Sequence, residues 1–131
     1  MSEQAAEVLS LNIPCDRRAP GLVRAALDET EGLGWVLGDA MLVASELVTN
    51  AVLHSGGSAS ELLEVKAVLA SERLVISVQD PGRSGNAAQP MPADDSRPNG
   101  WGLRIVEQLA SRWGSERRGG YRVWAELPLL S

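Results

Sequence analysis

Segments with the apolar spacing of a helix alternate with segments that have the spacing of a strand, and this alternation is the strongest constraint on the fold. The strand-like segments are residues 9–13, 62–69, 74–78 and 121–127. The helical segments are residues 19–31, 36–54 and 103–113. This order predicts an α/β sandwich in which the helices pack on one face of a mixed, mostly antiparallel sheet.

The connections between these segments define the domain. Residues 70–73 separate two strand-like runs, which is typical of an antiparallel hairpin. Residues 83–99 contain three prolines and almost no large apolar side chain. A loop of this length is usually a functional lid or disordered. We therefore expect one domain over residues 1–131, with a core over about residues 9–128 and a lid over about residues 83–99.

Charge and motif content exclude several classes of function. The chain has 12 basic and 17 acidic residues, a net charge of −5, which argues against direct nucleic-acid binding because that depends on neutralising phosphates. Its only lysine, Lys66, does not stand in a P-loop motif. Its only cysteine, Cys15, has no disulfide partner, and no cluster of cysteines and histidines offers a zinc site.

The hydropathy pattern bears on location. No stretch approaches the roughly 20 uninterrupted apolar residues that a membrane span needs. The first residues are polar and acidic, unlike a basic signal sequence. We therefore expect a cytoplasmic protein without a membrane segment.

A first candidate site lies in the longest helical segment. Glu46, Asn50 and His54 are spaced by four residues and form one row beside the apolar stripe. Because magnesium takes few protein oxygens alongside waters and phosphates, Asn50 is a candidate metal ligand and Glu46 a candidate general base. His54 is a candidate phosphate or lid contact. The alternative is an ordinary solvated helix face, with His54 interacting with the helix dipole.

A second candidate lies at the end of an apolar strand. There Asp80 is followed by Pro81 and Gly82. A carboxylate in this position can accept a hydrogen bond from an exocyclic amine such as that of adenine, and Gly82 permits a close approach. The alternative is a simple turn, since Asp-Pro-Gly is strong turn chemistry by itself.

A third candidate opens the last helical segment, where Gly100, Trp101, Gly102 and Leu103 follow one another. Unencumbered backbone N–H groups at a helix N-terminus favour anions, so phosphate is a natural ligand. Trp101 is a candidate cover for a nucleotide or a partner. The alternatives are a lid hinge formed by the two glycines and plain packing by Trp101.

In this order the three motifs resemble those of the GHKL ATPase superfamily, which includes gyrase and histidine kinases, and within it the small anti-sigma factor serine kinases of bacteria. Residues 46–54 resemble its N-box, Asp80-x-Gly82 its first glycine box and Gly100-x-Gly102-Leu103 its second. The resemblance implies the Bergerat ATP-binding fold with ATP and Mg²⁺ as cofactors.

The resemblance also assigns roles to individual residues. It implies that Glu46 is the general base, Asn50 the magnesium ligand and Asp80 the adenine contact. The segment from Gly100 to Leu103, with Trp101 and Gly102 inside it, would cradle the triphosphate. The last strand departs from the family pattern at Arg122, and the first glycine box departs at Ser84, where its second glycine is expected.

The function implied is an ATP-binding anti-sigma regulator that binds a sigma factor and phosphorylates a serine or threonine on an anti-anti-sigma antagonist. Since members of the family are often dimers, the resemblance also allows a homodimer. Because of the departures at Ser84 and Arg122, a second hypothesis stays open. It is a non-catalytic module that responds to nucleotide, or needs none, and controls a sigma factor or a similar regulator by binding it.

Overall fold

A computed structural model describes residues 5–55, 61–80, 100–117 and 120–129. The strands are β1 (Ala6–Pro14), β2 (Leu62–Leu69), β3 (Arg73–Gln79), β4 (Arg112–Arg117) and β5 (Tyr121–Pro128). The helices are α1 (Ala19–Asp28), α2 (Leu37–Ser55) and α3 (Gly100–Leu109), and a 3₁₀ turn, Gly34–Val36, leads directly into α2.

The five strands form one sheet in the order β1-β2-β3-β5-β4. Every pairing is antiparallel, so the sheet is uniform rather than mixed. The predicted hairpin is confirmed, since the Ala70 N–H donates to the carbonyl of Arg73 at 2.9 Å in the turn between β2 and β3. The α/β sandwich expected from the sequence is thus confirmed.

Helix α2 is the centre of the helical layer and contacts α1, α3, β3 and β5. Its buried stripe packs on alternate, inward-facing residues of the sheet. On the helix this stripe comprises Ala40, Val43, Ala44, Leu47, Val48 and Ala51. On the central strands the inward residues are Leu63, Val65, Ala67, Leu74, Ile76, Val78, Val123, Ala125 and Leu127.

The segment Gly34–Leu53 is long and apolar enough to cross a membrane, with a mean hydropathy of 1.5 over its most apolar window. Half of that window is buried inside the domain. One such helix is weak evidence for a membrane protein, because the core helix of a soluble domain has the same length and composition.

The prediction of one helix over residues 103–113 was wrong at its C-terminal end. Helix α3 ends at Leu109, and the chain turns into the edge strand β4. Trp113 follows Leu109 by four residues, so apolar spacing alone cannot separate the end of a helix from the start of a strand. Because Gly114 lies inside β4 and has low strand propensity, the strand gives little signal in the sequence.

The pairing of β4 with β5 places two tryptophans on opposite faces of the sheet. Trp113 pairs with Ala125 on the inner face and packs against the core. Because large aromatic side chains are usually buried, the sequence predicts core positions for both tryptophans, and for Trp124 that prediction was wrong. Trp124 lies on the outer face of the sheet, since Val123 and Ala125 on either side of it are buried. Its neighbours there are Gly114, where an added Cβ would lie 2.9 Å from the Trp124 ring, and the Arg112 guanidinium, 5.9 Å from a ring centre.

Helix α2 offers a direct test of where the stability of the domain arises. Leu47 is fully buried, whereas Leu53 on the same helix is 57% exposed. We expect Leu47→Ala to lower the free energy of unfolding by about 2–5 kcal/mol because it leaves a cavity in the core. Leu53→Ala should change it by less than about 0.5 kcal/mol. Urea denaturation measures both, and equal losses would contradict the assigned burial.

Candidate functional site

The antiparallel register brings one end of each of the strands β1, β2, β3 and β5 to the same end of the sheet, here called the site end. The start of β2 pairs with the end of β1 there, through Leu62 and Pro14, and the end of β3 pairs with the start of β5, through Gln79 and Arg122. Asp80 follows Gln79 directly. The candidate acid therefore lies at the site end, next to the ends of the four strands.

The helices bring the other two motifs toward the same end. Helix α2 ends at Ser55, and β2 begins at the site end only a few residues later. After α3, the Ser111 N–H donates to the carbonyl of Glu126 at the opposite end of the sheet. Because α3 runs toward that far end, its first residue, Gly100, is directed toward the site end.

Asp80 is held by the backbone of β5. Its side chain is buried, and its Oδ1 accepts the Tyr121 N–H at 3.1 Å. Its own backbone N–H donates to the carbonyl of Tyr121 at 3.0 Å. These two contacts with one residue fix the carboxylate at the end of β3. Sequence reasoning missed Tyr121, because a contact between residues 41 positions apart leaves no local signal.

Asn50 is 4% exposed, yet neither its Oδ1 nor its Nδ2 has a hydrogen-bond partner among the described residues. A buried amide without partners costs about 1–3 kcal/mol. Buried polar groups are almost always paired, so an unpaired one calls for an explanation. A ligand that supplies the missing contacts is such an explanation, and a side-chain oxygen in this position fits a hard cation such as Mg²⁺.

The row formed by Glu46 and Asn50 lies on one flank of α2. Ser45 marks the opposite flank, where its hydroxyl accepts a hydrogen bond from Arg24 of α1 at 3.1 Å. At about 100° per residue, Ser45 and Asn50 fall on opposite sides of the buried stripe. Because α3 also packs on α2, the row faces α3. Glu46 is half-buried there, one turn before Asn50.

The remaining predicted residues are placed less fully. Gly82 and the expected lid lie outside the described residues. His54 lies in the last turn of α2, and Gly100, Trp101 and Gly102 form the first turn of α3, but only their backbone is described. Leu103 is half-buried in α3. The expectation that the second glycine motif opens a helix is confirmed, and that first turn has N–H groups without partners inside the helix.

Arg122 lies at the site end but on the face of the sheet opposite the helices. Its inner-facing neighbours on β5, Tyr121 and Val123, are buried, so Arg122 points to the outer face of the sheet. There its Nη1 donates to Glu116 Oε2 at 3.1 Å across the β4–β5 pair. This agrees with the view of Arg122 as a surface strand residue rather than a phosphate contact.

A separate groove of about 570 Å³ lies on the other flank of α2. The described residues that line it are Asp16, Arg17, Arg18 and Val52. A hydrogen bond from the Arg18 side chain lowers the pKa of Asp16, and the same bond raises the pKa of Arg18. Val52 lies on the Ser45 side of the helix, so the groove is distinct from the Asn50 row.

Because the buried amide of Asn50 is unpaired, we expect it to lower the free energy of unfolding of the domain. We expect Asn50→Leu to raise the free energy of unfolding without ligand by on the order of 1 kcal/mol, since no orphaned polar group remains. Ser45→Ala is the matched control, because the Ser45 hydroxyl is paired with Arg24 and with the carbonyl of Met41. It should lower the same free energy. Urea denaturation decides, and a loss of stability in Asn50→Leu would contradict this view.

Comparison of the sequence with models of known protein families finds a match that covers these residues. Residues 17–126 match the family model described as the histidine kinase-like ATPase domain. No curated protein sequence matched the chain. The matched range runs from the start of the helical layer to the last strand and includes α2, Asp80 and the start of α3. The chain therefore belongs to the histidine kinase-like ATPase domain family, whose members bind ATP.

Proposed function

We propose that this protein is an ATP-binding anti-sigma regulator that transfers phosphate to a serine or threonine of an anti-anti-sigma protein. The observation that carries the proposal is the buried Asn50 amide without partners, one turn from Glu46 and on the flank that faces α3. The sigma-factor context comes from the resemblance of the motifs. The proposal includes a cytoplasmic location, no contact with nucleic acid, and partners that are proteins, a second copy among them.

The residues present fit a magnesium-bound nucleotide. Asn50 Oδ1 would ligate Mg²⁺, which when bound neutralises charge on the phosphates. Asp80 would accept a hydrogen bond from the adenine amine, because Tyr121 holds its carboxylate in place. The first turn of α3 would bind phosphate oxygens through its N–H groups. His54 and Trp101 would line the phosphates and Gly82 the base.

In this proposal the protein does two things: it accepts one proton, and it orients the reacting groups. Glu46 would accept the proton of the attacking serine or threonine hydroxyl. As the hydroxyl oxygen bonds to the γ-phosphorus, the bond from that phosphorus to the ADP leaving group breaks. Phosphoryl transfer needs little covalent help from a protein, so positioning and charge supply most of the catalysis. The half-buried carboxylate of Glu46, one turn from Asn50, supports this role.

The second candidate is a non-catalytic module that controls a partner by binding it. The position of Arg122 favours this candidate. Arg122 stands where the family pattern leads us to expect a threonine near phosphate, but it is bonded to Glu116 on the outer face. If no other residue replaces that threonine, one phosphate contact is lost, which would weaken nucleotide binding as well as transfer.

The base preference tests the role of Asp80. In Asp80→Asn, the side-chain carbonyl is expected to keep the Tyr121 N–H, which leaves an NH₂ group facing the adenine amine. We expect ATP affinity to fall by about 1–3 kcal/mol while the fold persists. Asp28→Asn, on the exposed end of α1, should leave it unchanged. Calorimetry measures both, and equal wild-type affinity for ATP and GTP would refute Asp80 as the base-reading residue.

The distinction between kinase and module depends on Glu46. Glu46→Gln keeps size and polarity but removes proton acceptance, so ATP binding should survive while transfer falls roughly 10²- to 10⁴-fold. Asn50→Ala should instead weaken binding of magnesium-ATP itself. Radiolabelled phosphotransfer to candidate antagonists, with calorimetry in parallel, measures the two effects.

The non-catalytic module would give a different pattern in the same assays. It would bind its partner with both substitutions in place and show no transfer in the wild type. That last outcome, with the true antagonist present, would exclude the kinase.

A further inference from the structure

The outward ridge of α2 is apolar, which is unusual for a helix at the surface of a soluble domain. Trp35 is 65% exposed, Leu42 is 43% exposed and Leu53 is 57% exposed. Thr49, between the two leucines, is half-buried. Large apolar side chains in a line on the solvent side of an amphipathic helix are exceptional, and the described residues leave this line uncovered.

These residues form one line. Leu42 and Thr49 are seven residues apart, Leu53 follows four residues later, and Trp35 precedes Leu42 by seven. Such spacing places side chains on the same face of a helix. From Leu42 to Leu53 the line is about 16 Å long, and the 3₁₀ turn extends it to Trp35. We call these four residues the α2 ridge.

The chain that leads into the α2 ridge is acidic. Asp28 is the last residue of α1, Glu29 and Glu31 lie in the connection that leads to Trp35, and Asp39 is in the first turn of α2. No lysine or arginine occurs between Arg24 and Lys66. Arg24 itself donates to Ser45. The chain from residue 25 to residue 41, which contains Trp35 and leads into the apolar line, therefore carries four acids and no basic residue.

We propose that the α2 ridge is the docking surface for a basic amphipathic helix of a partner protein. An amphipathic helix that packs its apolar face on an exposed apolar surface is a common mode of recognition, and basic residues at its edges would complement Asp28, Glu31 and Asp39. An exposed tryptophan such as Trp35 is the type of side chain that dominates such interfaces.

Charge argues against the two other occupants. A second copy of this chain would bring two acidic segments together, and like charges across an interface are repulsive. A membrane surface rich in anionic lipid would be repelled for the same reason. The ridge adjoins the row of Glu46 and Asn50, because Leu42 precedes Glu46 by four residues and Leu53 follows Asn50 by three. The proposal rests on the exposure and charge of the ridge and not on the nucleotide chemistry proposed above.

The test uses a fluorescently labelled synthetic helix of about 18 residues, long enough to cover roughly 27 Å, with leucine on one face and lysine on the other. Binding to the full chain is followed by fluorescence anisotropy. We expect Trp35→Ser/Leu42→Ser to weaken it at least tenfold. The matched control is Leu62→Ser, because Leu62 is 50% exposed but lies on the sheet. It should bind as the wild type does.

A charge-reversal pair tests the acidic segment separately and does not alter the apolar line. Asp28→Lys/Glu31→Lys should weaken binding of the lysine helix and strengthen binding of a glutamate version. The control, Glu7→Lys/Glu64→Lys, changes two exposed acids of β1 and β2 and should have no effect. Circular dichroism verifies that each variant is folded.

Several results would overturn the proposal. A scrambled peptide of the same composition that binds equally well would do so, as would equal weakening by Leu62→Ser. A dimer seen by sedimentation and abolished by Trp35→Ser/Leu42→Ser would assign the ridge to a second copy. Binding to anionic phosphatidylserine vesicles, lost in the same variant, would assign it to a membrane surface.

Discussion

Burial of one stripe of α2 against the antiparallel sheet is the constraint on which the remaining structure depends. The stripe that contains Leu47 and Ala51 must face the strands, because it is the longest run of small and branched apolar side chains in the helical layer. Once it does, the rotation of the helix about its axis is fixed. Glu46 and Asn50 are then placed on the flank that faces α3, and Ser45 on the flank that faces α1.

The same constraint explains why an unpaired amide can persist in the domain. The stability of a domain of this size is about 5–15 kcal/mol, and an unpaired buried amide consumes about 1–3 kcal/mol of it. The packing of α2 on β3 and β5 compensates for that loss, so Asn50 can remain unpaired in the folded domain. By contrast, Asp80 does not depend on a ligand to satisfy it, since the Tyr121 N–H already binds its carboxylate.

The sequence predicted much of this arrangement because its signals are local. The apolar spacing of α2, the alternation in β2 and β3 and the position of Asp80 at a strand end are each visible within a few residues. Helix α3 was predicted from its glycines and apolar stripe, but its C-terminal end was missed, because Trp113 continues the helical spacing by chance. Trp124 was assigned to the core because large aromatic side chains are usually buried. Its true side follows from the alternation in β5, which buries Val123 and Ala125.

Contacts that depend on pairing between distant strands were not predictable from local pattern. Tyr121 holds Asp80 only because β3 and β5 are neighbours in the sheet, although helix α3 and strand β4 separate them in sequence. The groove at Asp16 and Arg17 likewise forms only because the turn before α1 is folded against Val52. Such features require the topology, and the alternation of helices and strands gives their order along the chain but not their neighbours in the sheet.

The residues of α2 also show how one helix serves separate purposes without conflict. Neighbouring positions differ by about 100°, so Glu46, Leu47 and Thr49 face the ligand flank, the sheet and the outer ridge respectively. Glu46 and Thr49 are three residues apart and are neighbours on the helix surface, whereas Leu47 faces the sheet. The proposed ligand and docking roles therefore lie on adjoining stripes, separate from the stripe that stabilises the domain. A strand has only two faces and cannot separate three properties in this way. This geometric difference allows α2 to carry most of the side chains with a proposed function, while the central strands contribute the core and the carboxylate of Asp80.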